Sequence, residues 1–326
     1  MKHFLMISIL TSLFAPSYLV GQTTDAEIEA SLTVNVTNST ANGSATVNDE
    51  VLVTIYEQEK PTQTLTGNVG SDSKAVFENI PTGNNITALP RVKHQNMMFN
   101  GHPIALKTGQ TVFSGHVEVY EVSTDKSKLS VAAHHFIVKV EADYLRITEY
   151  MRLNNSSDMA ITSEEKDGND NSKVIEAMLP KGFKNLVFSR YFQENALVIT
   201  KDGFYDTMAI PPGQYDADFS YRLEIDSETI DIVKTISLPT SEFMVFSLLD
   251  KGKLQGLGDS GGEVNLADGS SAEYFSFPEL KASEQIKFQV VGFNIKKSNS
   301  NVVIILIVIF ALMALLVIWR LRGQKS

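Results

Sequence analysis

The chain has 326 residues, 28 of them basic and 38 acidic, and a net charge of −10, which argues against a nucleic-acid face built to neutralise phosphates. Its composition, 43% hydrophobic, is that of a folded protein with room for two domains. There is no cysteine, so disulfides, thiol catalysis, thiolate metal sites and Cys-x-x-Cys-His haem attachment are excluded.

Residues 1–21 read as a secretory signal peptide: Lys2 and His3 precede an apolar stretch over 4–15, and Pro16 ends it. Cleavage is expected near Gly21 and Gln22.

The first domain is expected over 24–124. "VLVTIY" (51–56) and "TVFSGHVEVYEV" (111–122) are rich in β-branched and aromatic residues, as strands are. Turn signals stand at Asn42-Gly43 and at Pro81-Thr82-Gly83. The stretch "KHQNMMFNGH" holds His94, Met97, Met98 and His102. Imidazole with thioether suits copper or haem iron, so these four are the candidate metal ligands. The plain alternative is an apolar strand or loop tip. "STDKSK" (123–128) reads as a linker.

The second domain is expected over 129–250. In "YDADFSYRLEID", Tyr215, Ala217, Phe219, Tyr221, Leu223 and Ile225 share one face and the polar residues take the other, a strand with one wet side. "HHFIVKVEA" buries Phe136, Val138 and Val140 by the same logic, and adjacent His134 and His135 must point to opposite faces. "EFMVFSLL" (242–249) is a further strand. Asp167, Asn169 and Asn171 mimic the first ligands of a calcium loop. Ser172 replaces its glycine and Met178 its glutamate, so a solvated hairpin tip is the better reading.

Residues 251–300 read as a Gly/Ser-rich loop, a last strand "EQIKFQVVGF" and a stalk "NIKKSNSN". The loop contains Gly258-Asp259-Ser260-Gly261-Gly262, the string around the nucleophile of trypsin-like proteases. Ser260, His134 and Asp231 could be cast as a triad. Glu263 stands where that family has proline, and an oxyanion hole needs a rigid loop, so a connecting loop is the preferred reading.

The run from Val302 to Trp319 is uncharged. At about 1.5 Å per residue it approaches the ~30 Å hydrocarbon core of a bilayer. It reads as a transmembrane helix (302–319), with a cytoplasmic tail over 320–326 carrying Arg320, Arg322 and Lys325. The fold class expected is therefore all-β: two β-sandwich domains followed by one transmembrane helix.

The segment "AVFENIPTG" (75–83), preceded by "NDEVLVTIYEQ", resembles the signature of carboxypeptidase regulatory-like domains. The resemblance covers residues 25–122 and implies a transthyretin-like sandwich that supports folding or binding. It departs from the family at "GSDSKA" (70–75), which lacks the usual turn. The second domain is similar in style to the portion C-terminal to such domains in bacterial envelope proteins. The expectation is a non-catalytic binding or scaffolding protein, single-pass, with its ectodomain outside the cytoplasm. Its partner is expected to be an envelope protein, with no cofactor and no nucleic acid. The alternative is an accessory protein handling copper or haem through the His94–His102 stretch.

Overall fold

The computed structural model describes residues 30–266 and 269–293. The expected signal peptide, transmembrane helix and cytoplasmic tail lie outside the described residues. No helix among the described residues is long and apolar enough to cross a membrane.

The described chain is all-β, consistent with β-sandwich layering, and divides into two units. The first holds most of β1 (Ser31–Asn38), β2 (Glu50–Glu57), β3 (Lys60–Asn68), β4 (Lys74–Phe77), β5 (Ile86–His94), β6 (Met97–Asn100), β7 (Ile104–Ala105) and β8 (Val112–Val119). They form a sheet ordered β4-β1-β8 and another ordered β3-β2-β5-β6, with β7 on β5. Alternate residues turn inward: Leu32, Val34 and Val36 of β1 and Val51, Val53 and Ile55 of β2 are all buried.

The second unit comprises residues 38–45, 94–97 and the chain from 119. Its strands are β9 (Val122–Ser123), β10 (Leu129–Glu141), β11 (Tyr144–Asn155), β12 (Ala160–Ile161), β13 (Ile175–Met178), β14 (Lys184–Arg190), β15 (Leu197–Thr200), β16 (Gly203–Asp206), β17 (Gly213–Glu224), β18 (Thr229–Thr235), β19 (Thr240–Leu248), β20 (Lys253–Gln255), β21 (Gly262–Asn265), β22 (Ser271–Leu280) and β23 (Gln285–Val291). Seven of them form one sheet, ordered β14-β17-β11-β10-β19-β22-β21. Two three-stranded sheets, β13-β16-β15 and β18-β23-β20, contribute to the same core.

That core follows from period two. Ala217, Phe219, Tyr221 and Leu223 of β17 are buried, as are Phe136 and Val138 of β10. Phe204 of β16 and Phe288 of β23 meet them edge to face, with Phe204–Phe219 at 4.9 Å and Phe136–Phe288 at 5.8 Å between ring centres. β16 can pair with β13 only because residue 203 is glycine: its φ is +149° and a Cβ would fall against the Ala177 carbonyl oxygen.

The last strand expected after residue 250 is β23, whereas the glycine-rich stretch before it, which reads as a loop, holds β20, β21 and the start of β22. Its glycines mark turns, such as Gly256 and Gly258 at positive φ. Leu254, Phe275, Phe288 and Val290 between them fill the core.

Candidate functional site

The candidate metal ligands fall in different settings. His94 ends β5 and is buried. Its Nε2 lies 3.4 Å from Glu121 Oε1, within a network of the second unit. There Glu121 Oε1 accepts from Ser44 Oγ at 2.6 Å, Ser44 N at 2.7 Å and Asn38 Nδ2 at 2.9 Å. The Ser44 hydroxyl and amide lead in holding the Glu121 carboxyl down at about 2. Met97 and Met98 alternate on β6, Met97 half-buried and Met98 exposed, and His102 is exposed in the following loop. The division of the chain puts His94 and Met97 in the second unit, Met98 and His102 in the first. Among the described residues no three His, Cys, Asp or Glu side chains are grouped to hold a metal ion.

The protease-like residues each have other partners. Ser260 Oγ accepts the Gly262 amide at 3.1 Å in an exposed turn. Asp231 accepts Gln289 Nε2 at 2.7 Å. His134 lies inside the core, with Nε2 2.9 Å from Glu149 Oε2. At the calcium-like tip, Asp167 Oδ1 accepts the amides of Asn169 and Asn171, both at 2.8 Å, and Oδ2 accepts Asn171 Nδ2 and Tyr205 Oη. The Tyr205 hydroxyl, then Asn171, hold the Asp167 carboxyl well below the carboxylate range. Its oxygens thus close a hairpin tip.

One group was missed in the sequence. On the inner face of the seven-stranded sheet, Glu149 of β11 receives His134 of β10, Tyr221 of β17 and Lys234 of β18. Tyr221 Oη donates to Glu149 Oε1 at 2.9 Å, and Lys234 Nζ lies 2.6 Å from Oε2. None of the four is more than 4% exposed. Burial pushes the Glu149 carboxyl up, but Lys234 and His134 outweigh it and leave the carboxyl below its ordinary value. Burial lowers the His134 imidazole despite Glu149, and burial followed by Glu149 raises the Tyr221 hydroxyl. The adjoining cavity, lined by His134, Lys234 and Glu176 among others, is about 10 Å³, the space of a single water. The quartet ties β18 to the large sheet and has no room beside it for a substrate.

Asp206 is a second buried carboxyl. Oδ1 accepts the Met208 amide at 2.9 Å, and Oδ2 has no hydrogen-bond partner among the described residues. Burial pushes it up to about 6.

The outer face of the same sheet is different in kind. His135 of β10 lies 5.4 Å from Tyr150 of β11 and 5.2 Å from Phe246 of β19, and Phe246 lies 6.4 Å from Tyr274 of β22. This aromatic row crosses four strands. At its β14 end the Arg190 guanidinium sits 5.4 Å from the Tyr150 ring and its Nε 2.9 Å from Asp218. Arg152 Nε donates to Asp216 Oδ1 at 3.1 Å, and Tyr150 Oη to the same oxygen at 2.6 Å. The Tyr150 hydroxyl, then Arg152, hold the Asp216 carboxyl below its usual value. Four of the chain's seven arginines, Arg146, Arg152, Arg190 and Arg222, lie on β11, β14 and β17.

No family model and no curated protein matches the chain. Among solved structures, one described as a "putative protease" from Parabacteroides distasonis aligns with 50% of this chain and 40% of its own length. Its identity is 12% and its TM-score 0.27. This chain thus spans well under half of that protein, and the likeness is too slight to carry an argument.

Proposed function

We propose that the protein is a non-catalytic binding or scaffolding protein of the bacterial envelope. In this reading the two units are β-sandwich domains held outside the cytoplasmic membrane by a helix from Val302 to Trp319. The first is of the carboxypeptidase regulatory-like type. Support for that assignment is the "FENIPTG" signature, whose Phe77 and Ile80 are buried core residues. The partner is an envelope protein seated on the second unit.

The observation that carries the reading is the outer face of the seven-stranded sheet. Tyr150, His135, Phe246 and Tyr274 form a row there that crosses β11, β10, β19 and β22, with Arg190 at its β14 end; Tyr and Arg are enriched in binding hot spots and Phe in interface cores. Their neighbouring Arg–Asp pairs hold the side chains in place before a partner arrives.

The test is site-specific photocrosslinking of the full chain in native membranes, with the crosslinker at His135 and, as a control, at Asp202. A discrete adduct from position 135 that Tyr150→Ala abolishes is expected. Adducts of equal yield from both positions, or none from either, would overturn the proposal.

A further inference from the structure

The buried quartet of the second unit holds a nucleophile against an acyl carbon. Lys234 Nζ lies 2.6 Å from Glu149 Oε2. With a carbon–oxygen bond of about 1.23 Å, Nζ stands no more than about 3.9 Å from the Glu149 carboxyl carbon. Tyr221 Oη donates to the other oxygen, Oε1, at 2.9 Å, and His134 Nε2 lies 2.9 Å from Oε2. The carboxyl thus has a hydrogen-bond donor at one oxygen, and an amine and a proton carrier at the other. The four side chains come from β18, β11, β17 and β10, and none is more than 4% exposed. The Phe219 ring, 6.0 Å from Nζ, and the Phe243 ring, 4.9 Å from that of His134, wall them off from water.

Two charges kept in a core are costly, because no water solvates them. Passing one proton from the Lys234 ammonium to Oε2 removes both charges and leaves an amine beside a carboxylic acid. Reactants held in fixed, well-oriented contact behave as if at about 10⁵–10⁸ M, which favours their condensation. The cavity beside the quartet, lined by His134 and Lys234 among others, is about 10 Å³, the space of one water and so of the leaving group. The chain has no cysteine, so a disulfide cannot serve as its covalent tie.

We propose that Lys234 and Glu149 condense into an isopeptide bond that ties β18 to β11. The amine lone pair attacks the carboxyl carbon, and the carbon–nitrogen bond forms. Charge gathers on Oε1, where the Tyr221 hydroxyl already donates. His134 takes a proton from the attacking nitrogen and gives it to Oε2. The bond from the carbon to Oε2 then breaks and water leaves. One ammonium and one carboxylate become one amide and one water, and nothing is oxidised or reduced. The product stays satisfied in the core: Tyr221 donates to the amide oxygen, and the Met178 carbonyl, 3.4 Å from Nζ, accepts the amide N–H. The freshly folded chain holds the ion pair, and the linked form accumulates from it. This reaction of the chain with itself is independent of the partner proposed for the outer face.

The experiment is mass spectrometry of the full chain in detergent micelles, followed from synthesis through incubation at neutral pH. The native chain is expected to become one water lighter than its sequence requires. Trypsin should then release residues 147–152 branched onto residues 223–251, because the linked Lys234 no longer supports cleavage. Lys234→Arg should keep its full mass. Tyr221→Phe should link at least about 100-fold more slowly, the worth of one oxyanion donor. A native chain that keeps its full mass overturns the proposal without recourse to any variant. A water loss that persists in Lys234→Arg or that trypsin maps elsewhere overturns it too, as does linkage of Tyr221→Phe at the native rate. None of these results bears on the His135 photocrosslink, so the two proposals fail separately.

Discussion

Replacing Lys234 by methionine probes the buried quartet most directly. The side chain keeps its length and loses its charge, leaving the Glu149 carboxylate in the core with only His134 and Tyr221 as donors. Removing one partner of a buried ion pair typically costs about 3–5 kcal/mol, because the other charge stays desolvated. The pH dependence separates this from a packing effect. In the native protein His134 has a folded pKa below its ordinary 6.5, so its contribution is present above about pH 6.5 and is lost as the pH falls towards the folded value. In Lys234→Met the uncompensated Glu149 favours a protonated His134, whose folded pKa should then rise above the unfolded one. Stability then improves as the pH falls through that raised value. Native and variant slopes should therefore have opposite signs between pH 8 and 6, with the penalty largest at pH 8. Hydrogen exchange of peptides from β10 and β11 in the full chain reads this locally. A penalty under about 1 kcal/mol, or one that does not change with pH, would refute the charge argument. The double variant Glu149→Gln with Lys234→Met should recover most of the loss.

The same geometry sets other expectations. Asp206→Asn should stabilise the chain by about 1–3 kcal/mol at pH 7.5, since a shift of one pKa unit is worth about 1.4 kcal/mol. The Asp206 carboxyl has a folded pKa of about 6, above its ordinary 3.8, so the protein loses stability as pH rises through 6; in urea titrations the gain from Asn should vanish below about pH 4. Gly203→Ala should cost more than about 1 kcal/mol by the same assay, because β16 must move off the Ala177 carbonyl. Ser44→Ala should raise the Glu121 pKa from about 2 in a carboxyl NMR titration, since the Ser44 hydroxyl is its largest support. Ser260→Ala should change stability by no more than about 0.5 kcal/mol. The native chain should take no label from a fluorophosphonate probe, because His134 bonds Glu149 and Ser260 bonds its own turn.

Much of the strand content was legible because period two is local. Tyr215 to Leu223 alternate into the core as their pattern dictates, and His134 and His135 do part to opposite faces. The buried quartet left a trace of the same kind. Glu149 stands among Leu145, Ile147, Met151 and Leu153, and Lys234 comes after Ile230 and Ile232 at the same spacing. A charged letter on an apolar face is the signal. That the two would meet was not legible, since β18 and β11 are brought together by tertiary packing. Strands β20 and β21 were hidden by the glycines around them, which suit turns and connectors equally, whereas the glycine-free β23 was legible as a strand. That Lys139, Arg146, Arg222 and Lys184 stand opposite one another was invisible for another reason: each reads as an ordinary wet-face residue until the register aligns them.

The seven-stranded sheet is antiparallel except at its middle, where β10 and β19 run parallel. Val131 pairs with Thr240, so the sheet cannot close until most of the unit has left the ribosome. Non-local pairing of this kind folds slowly and exposes unpaired edges meanwhile. A nascent chain ending before β19 has only β10, β11, β14 and β17 to offer this sheet, with one flank of β10 open. The emerging protein therefore depends on protection during synthesis, and fragments that stop short of β19 should aggregate instead of folding.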